Sequence, residues 1–272
     1  MGRRLASALE AQRSATLDLL RAVPAGDWAR PCLPPWRVHD VVAHLVAVDE
    51  AAVTRRLLPL MRSGGGADLE RWTVEAVAGL ADVEPAELLA RLAQAGARLA
   101  GVVARVPRLA MRVQVRTVYG RRPLAVLVCR RIVDEWVHSA DIAASVPAVP
   151  APPTQSAVPR AVGDALATGV LDTLPALVLP RLDVRAGVLR LVVWTGPPDE
   201  AHGPRRTWGI DFARRQYGPR VTARPDTTVR LHAATLALLA EGRLRWAEGR
   251  VPDVVVEGDV TLADHVLAGL AP

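Results

Sequence analysis

The first half of the chain alternates stretches of helical periodicity with turn signals. Apolar residues recur at Leu5, Leu9, Leu17 and Leu20, and the stretch ends before the break PCLPPW at 31–36. Apolar positions spaced three and four residues apart fall on one face of an α-helix. The pattern therefore predicts an amphipathic first helix.

Three further helices are predicted in this half of the chain. One follows the break, another covers 84–106 with a proline near its first turn, and the last runs from Pro123 to about Ala144. Proline is favoured in the first turn of a helix, where its missing N–H is not needed. Helices of this length predict a four-helix bundle over residues 1–145.

The segment after the predicted bundle is rich in proline. The sequence SVPAVPAPPTQSAVP, which begins at Ser145, has five prolines within 15 residues. Proline cannot donate the hydrogen bond that a helix interior or a central strand needs, and proline-rich segments form stiff spacers. Residues 146–160 are therefore predicted to be an interdomain linker.

The hydrophobic period changes beyond the linker. Short β-branched or alternating stretches bounded by Gly, Pro or Asp predict strands; they are GVLRLVVW, TWGIDF, TVRLHA and DVVVEG. Two stretches with helical spacing, AATLALLAEGR and DVTLADHVLAGL, lie between or after them, and Gly242 occupies a helix C-cap position. Residues 161–272 are therefore predicted to form a small α+β domain.

Composition fits one or two globular domains. The chain has 272 residues, 50% of them hydrophobic and 23% charged. Charges run through the N-terminal stretch, unlike a signal peptide, and no apolar run reaches the roughly 18 residues of a membrane span. We therefore expect a cytoplasmic protein without a membrane partner.

The basic charge does not indicate a nucleic-acid partner. The net charge is +6 and the pI is about 10.6, but there is no lysine, and the arginines are spread among acids with few aromatics. A nucleic-acid-binding protein concentrates its basic groups on one face, whereas a GC-rich codon bias explains this composition. Cys32 and Cys129 lack CxxC spacing and predict free thiols.

One predicted helix carries a stripe of polar residues. In RIVDEWVHSAD, 131–141, the side chains of Asp134, His138 and Asp141 project from neighbouring turns. Taken alone, such a stripe is most simply a solvated face opposite an apolar one.

A histidine on another predicted helix changes that interpretation. His44 lies in an apolar stripe with Val41, Leu45 and Val48 and should face the bundle interior. A lone inward histidine is more often a core residue than a ligand. Together, however, His44, Asp134 and His138 offer three N/O ligands, the set that a catalytic zinc site uses with its fourth position open.

These residues carry a resemblance to a known family. PPWRVHDVVAHL and RIVDEWVHSADIA resemble the two metal-site signatures of the DinB-like, mycothiol-dependent maleylpyruvate isomerase family. The C-terminal GDVTLADHVLAGL is similar to the end of that family's second domain, which has a sterol-carrier-protein-like α+β fold.

The resemblance implies a metal and a thiol cofactor. It assigns a divalent metal, usually zinc, to His44, Asp134 and His138, although the family's second ligand is often glutamate. Water or the thiol of mycothiol would take the fourth place. Because zinc coordination removes a thiol proton, the expected reactions are isomerisation of maleylpyruvate or thiol transfer to a small electrophile.

Two further residues are candidate catalytic groups. Asp141 matches the acid of the family's HxxD pattern and either orients His138 or is a surface carboxylate. Arg243 either contacts an anionic substrate or thiol or is a solvated arginine at a helix end.

A non-catalytic function stays open at this point. The same scaffold fits a metal-stabilised binding or regulatory protein, which a fourth protein ligand to the metal would favour. We expect a monomer or a small homo-oligomer in either case.

Overall fold

The chain folds into two compact units. In this computed structural model they are Met1–Pro152 and Pro153–Pro272. The structure describes residues 1–54, 56–57, 59, 66–149, 158–177, 179–196, 205–246, 251 and 253–270. Most of the predicted linker, 150–157, lies outside the described residues.

The first unit is helical. Its helices are α1 (Gly2–Arg21), α2 (Val38–Val53), α3 (Gly66–Ala78), α4 (Pro85–Arg105) and α5 (Leu124–Ser145). The long helices α1, α2, α4 and α5 confirm the predicted bundle. The shorter α3 was not predicted, and most of its surface is exposed, with Val77 its one buried residue.

Two short hairpins fix where the site-bearing helices begin. β1 (Pro31–Leu33) pairs with β2 (Trp36–Arg37), directly before α2, and β3 (Gln114–Thr117) pairs with β4 (Gly120–Pro123), directly before α5. The backbone N–H of Arg37 donates to the carboxylate of Asp40 at 2.9 Å and so caps α2. Short 3-10 turns cover Ala25–Ala29 and Ala110–Arg112.

The second unit has the predicted α+β architecture. A five-stranded sheet has the order β7-β6-β5-β8-β9, with β5 and β8 parallel and the other pairs antiparallel. The strands are β5 (Val188–Trp194), β6 (Arg205–Asp211), β7 (Gln216–Gly218), β8 (Thr227–His232) and β9 (Val255–Gly258). The helices are α6 (Arg160–Leu171), α7 (Leu174–Leu177), α8 (Ala233–Ala240) and α9 (Val260–Ala268), and a 3-10 turn covers Leu179–Arg181.

Most elements of the second unit were predicted. β5, β6, β8 and β9 match the four predicted strands to within about two residues, and α8 and α9 match the two predicted helices. Gly242 follows the end of α8 with φ of +70°, a left-handed conformation that favours glycine. The short edge strand β7 and the helix α6 were not predicted.

One stretch of the second unit has the length and composition of a membrane span. It is Arg160–Arg181, and 62% of its most apolar window is buried within the protein. Asp172 and Thr173 form a turn that interrupts it between α6 and α7. Core helices of globular domains share this composition, so the stretch is weak support for a membrane span.

Candidate metal centre

Two helices bring three side chains that could hold a metal ion to one point. His44 comes from α2, and Asp134 and His138 come from α5. The Nε2 atoms of His44 and His138 lie 3.5 and 3.6 Å from Oδ1 of Asp134. Ligand atoms of all three residues lie within 4.8 Å of one another. Ligands about 2.1 Å from a tetrahedral ion are about 3.4 Å apart, so small side-chain rotations suffice to bind one.

The second nitrogen of His138 is held by a carboxylate. Nδ1 of His138 lies 3.0 Å from Oδ2 of Asp141. A neutral imidazole that donates through Nδ1 directs the lone pair of Nε2 toward the cluster, which is the usual arrangement behind a metal-binding histidine. His138 and Asp141 are only 8% and 9% exposed. The polar stripe of α5 is therefore not a solvated face.

His44 has an unsatisfied ring nitrogen. Its side chain is 11% exposed, and Nε2 faces Asp134. Within the part of the chain that the structure describes, the buried Nδ1 has no hydrogen-bond partner. Buried polar atoms are nearly always paired. The Nε2 atoms of the two histidines converge on one carboxylate oxygen of Asp134, and two imidazoles with a carboxylate fit a borderline divalent cation such as zinc.

The carboxylate of Asp134 is shared between the cluster and an arginine. Oδ1 faces the two histidines, and Oδ2 lies 3.4 Å from the guanidinium of Arg131, one turn earlier on α5. Burial by itself raises the pKa of Asp134, but the attraction of His44, His138 and Arg131 is stronger and lowers that pKa below its usual range. The side chain of Asp134 is therefore anionic, as a metal ligand requires.

Arg131 belongs to a buried charge network across the bundle. Its Nε donates to Asp49 at 2.7 Å, and Asp49 also accepts from Arg13 at 2.6 Å. Arg13 forms a two-pronged pair with Glu135 at 2.8 and 2.7 Å. Although burial lowers the pKa of each arginine, the paired carboxylates raise it further, so both stay cationic. The network joins α1, α2 and α5 directly behind Asp134.

This network was not predicted, although the sequence carries a signal for each of its members. Glu135 lies three residues after Ile132 on the buried face of α5, and Asp49 lies four residues after Leu45 on α2. Arg13 lies midway between Leu9 and Leu17 on α1. A charged residue on an apolar stripe must be paired when it is buried, but the stripe does not say which distant charge pairs with it.

An indole packs against the histidines. The ring centroid of Trp36 lies 5.2 Å from that of His44 and 6.5 Å from that of His138, and the two imidazole centroids are 5.1 Å apart. Trp36 comes from the hairpin that precedes α2. This contact restricts the orientation of both rings.

A cavity of about 420 Å³ adjoins the cluster. His44, Asp134 and Arg131 form part of its wall, and most of the remaining lining is aliphatic, with contributions from α2, α4 and α5. Pockets of this size hold small molecules. A ligand in the cavity can therefore reach the point between the three ligands.

Residues 9–143 match the family model described as the mycothiol maleylpyruvate isomerase N-terminal domain. The chain belongs to the mycothiol maleylpyruvate isomerase family. The matched range contains the three candidate ligands and Asp141, and it confirms the family resemblance seen in the sequence.

Solved structures share the fold of this family member. The crystal structure of the mycothiol-dependent maleylpyruvate isomerase aligns with a TM-score of 0.54 at 17% identity, over 93% of this chain and 95% of that chain. A histidine-to-alanine mutant of the same enzyme aligns with a TM-score of 0.55 at 16% identity, with the same coverage. The sterol carrier protein domain 2 of Helicoverpa armigera aligns over 40% of this chain and 85% of that chain, at 16% identity and a TM-score of 0.23. No curated protein matches the chain.

Arg243 lies in the second unit, in the turn after α8. Its guanidinium donates to the carbonyl oxygen of Glu241 at 2.6 Å, and its backbone N–H donates to Leu238 O at 2.8 Å. These contacts hold the side chain close to the end of the helix. Its contact with an anion stays a prediction.

Proposed function

We propose that this family member is a metal-dependent enzyme that uses mycothiol to isomerise a maleylpyruvate-like substrate or to transfer the thiol to an electrophile. The main support for the proposal is that His44 and Asp134 occupy two roles in the structure. Both belong to the ligand cluster, and both line the apolar cavity. A group held in the cavity can thus reach the open side of the cluster.

The proposed ligands are His44, Asp134 and His138. A divalent metal held by them, zinc in the simplest case, lowers the pKa of a coordinated thiol and supplies a thiolate at neutral pH. Asp141 orients His138, and Arg131 holds the second oxygen of Asp134. Because Arg131 is itself fixed by Asp49, it can hold the short aspartate side chain in place where other family members have glutamate.

The apolar cavity completes the proposed mechanism. Its aliphatic wall excludes water and leaves the thiolate less solvated and more reactive. A thiolate held between His44, Asp134, His138 and the cavity would supply reversible addition to a conjugated double bond, and the resulting single bond would allow rotation. Elimination would then restore the double bond and return the thiol. In thiol transfer the reaction would end at the addition product, with the proton of the thiol on the α carbon.

The remaining parts of the proposal concern the substrate contact and the assembly. Arg243 is the proposed contact for an anionic group, because a guanidinium binds a carboxylate through two parallel hydrogen bonds. The protein is proposed to be cytoplasmic and either a monomer or a small homo-oligomer.

The first test is turnover. Zinc-loaded protein is mixed with mycothiol and either maleylpyruvate or a panel of small electrophiles, and substrate and free thiol are followed over time. We expect thiol-dependent conversion that His44→Ala reduces by at least about 100-fold. Full zinc occupancy without conversion of any substrate would instead favour a non-catalytic, metal-stabilised protein.

The second test is metal content. Purified protein is expected to bind about one zinc ion per chain, and His138→Ala is expected to lose most of it, because two ligands hold zinc weakly. Elemental analysis measures both. The control is His265→Ala, whose exposed imidazole is bonded to Thr261 O in the second unit. Unchanged zinc in His138→Ala would remove His138 from the ligand set.

A further inference from the structure

The cavity beside the ligand cluster extends along two helices. On α2, Val48 and Ala52 follow His44 at intervals of one turn and line the cavity with it. On α5, Leu124 and Leu127 lie on the same side as Asp134, toward the start of the helix. At 1.5 Å per residue, the lining extends about 12 Å from His44 along α2 and about 15 Å from Asp134 along α5. The cavity is therefore elongated, with the ligand cluster at one end.

The side chains along this length are apolar and only partly covered by protein. Val48, Ala52, Leu124 and Leu127 are half-buried although they lie inside the bundle. Their remaining exposed surface borders the cavity. An apolar ligand gains free energy by covering such surface, whereas a charged group placed against it loses its hydration without a partner.

The cationic side chains in the cavity wall already interact with other residues of the protein. Among the described lining residues they are Arg130 and Arg131. Arg131 contacts the carboxylates of Asp49 at 2.7 Å and Glu135 at 3.4 Å. The guanidinium of Arg130 lies 5.0 Å from the ring centroid of Tyr119. Arg131 is thus neutralised by these carboxylates, so the described lining offers at most one further cation, Arg130, for the two carboxylates of a dicarboxylate substrate.

The cavity also reaches the solvent. Val102 on α4 lines it and is nevertheless 47% exposed. This position marks an opening through which a small molecule can enter without unfolding the bundle.

From these observations we infer that, of the two proposed reactions, this protein performs thiol transfer, and that its substrate is an electrophile with an elongated apolar body and one activated double bond, not a maleylpyruvate-like dicarboxylate. The apolar body lies along Val48, Ala52, Leu124 and Leu127, and the double bond lies at the cluster. The new C–S bond forms as the π electrons of the double bond move onto the conjugated carbonyl group. The proton that leaves the thiol ends on the α carbon. The part of this inference that concerns the reaction rests on the proposed function. The part that concerns substrate binding rests on the cavity alone.

Binding is tested without the thiol. Zinc-loaded full-length protein is titrated with the fluorescent apolar probe N-phenyl-1-naphthylamine. The probe is then displaced by 3-nonen-2-one, by the same enone with a carboxylate at its far end, and by maleylpyruvate. We expect the uncharged enone to displace the probe at a concentration at least about ten-fold lower than either anion. Equal or better displacement by an anion overturns the inference.

Two variants locate the probe. Ala52→Trp fills the far end of the cavity and is expected to weaken probe binding at least about ten-fold, and Ala52→Leu is expected to do so by a smaller factor. Ala97→Trp is the matched control, since Ala97 is exposed on α4 and does not line the cavity. Circular dichroism establishes that each variant is folded. The inference is overturned if Ala97→Trp weakens probe binding as much as either Ala52 variant does. It is also overturned if neither Ala52 variant changes probe binding.

Turnover separates this inference from the proposed function. With mycothiol present, the uncharged enone is expected to consume thiol with a kcat/KM at least about ten-fold above that of either anion. If the enone binds at Ala52 but no electrophile is turned over, the proposed function fails while the apolar binding site stands. If maleylpyruvate is the better substrate, the proposed function stands and the inference is wrong.

Discussion

Asp141 is not proposed to contact the substrate, but its carboxylate contacts the proposed metal ligand His138. Its Oδ2 lies 3.0 Å from Nδ1 of His138, and both side chains are buried. A carboxylate at this distance fixes the tautomer and the ring orientation of the imidazole and makes Nε2 a better donor to a metal. We therefore propose that Asp141 positions His138 in the candidate metal centre.

Replacing this carboxylate should weaken metal binding without abolishing it. Asp141→Asn keeps the shape of the side chain but removes its charge, and we expect zinc affinity to fall about 10- to 100-fold. Competition with a coloured chelator measures the affinity. Asp18→Asn is the control, because Asp18 pairs only with exposed Arg21 among the described contacts. Equal affinities for the wild type and Asp141→Asn would contradict the assigned role.

His232 predicts a pH dependence in the second unit. Nε2 of His232 lies 2.9 Å from the carbonyl oxygen of Gly196, and Nδ1 accepts the N–H of Ala234 at the start of α8. Burial lowers the pKa of His232, and the bond to Gly196 offsets only part of that effect. Protonation of Nδ1 would remove the acceptor that caps α8, so the folded state requires the neutral ring.

The sign of the effect follows from the lowered pKa. As pH falls below about 6.5, the unfolded chain takes up this proton before the folded chain does. The contribution of His232 is therefore complete above about pH 6.5 and decreases as pH falls toward the folded pKa. Urea unfolding at about pH 7.5 and about pH 5.5 should show a larger loss for the wild type than for His232→Asn, which keeps a helix-capping acceptor. Equal losses would contradict the assignment.

At the scale of the elements, the charge network joins the helices of the bundle. Arg13 on α1 donates to Glu135 on α5, to Asp49 on α2 and to Leu92 O on α4, the last at 2.6 Å. Removing one member of a buried pair leaves the other as an unpaired charge, which is far more costly than losing the pair itself.

The network should therefore dominate the stability of the bundle. Arg13→Met is expected to lower the free energy of unfolding by about 3–5 kcal/mol. The matched control is Arg91→Met, which breaks a part-exposed pair with Glu50 at 2.8 Å and should cost about 0–1 kcal/mol. Urea unfolding measures both. Similar losses in the two variants would show that burial of the network contributes little.

The elements differ in how far the sequence predicts them. Helices α1, α2, α4 and α5 were predictable because each buries a stripe with helical spacing. Helix α3 and hairpin β3–β4 were not, because they are short and mostly exposed, so little of their pattern is set by burial. The candidate ligands His44 and His138 were predictable from local motifs. The role of their neighbour Arg131 was not, because its contact with Asp49 depends on how α2 packs against α5.

At the scale of the molecule, the ligand cluster, the network and the cavity all lie in the first unit. Residues 1–149 expressed alone are therefore expected to fold and to bind about one zinc ion per chain, with an affinity within about three-fold of the full chain. Elemental analysis and chelator competition test this expectation. An insoluble or zinc-free fragment would show that the boundary between the domains is misplaced.

Pairing between the first and the last helix of this unit also bears on how the protein is made. Arg13 and Glu135 are 122 positions apart, and a ribosome delivers the chain from its N-terminus. Before Glu135 has left the ribosome, Arg13 has only Asp49 as a carboxylate partner among the described residues. Docking α1 onto the other helices at that stage would bury Arg13 with only part of its counter-charge. The nascent helices α1 to α4 must therefore wait, with their apolar stripes exposed, until α5 arrives. Bundle folding is thus tied to the end of the domain's synthesis, and the unfinished chain is the form most in need of a chaperone.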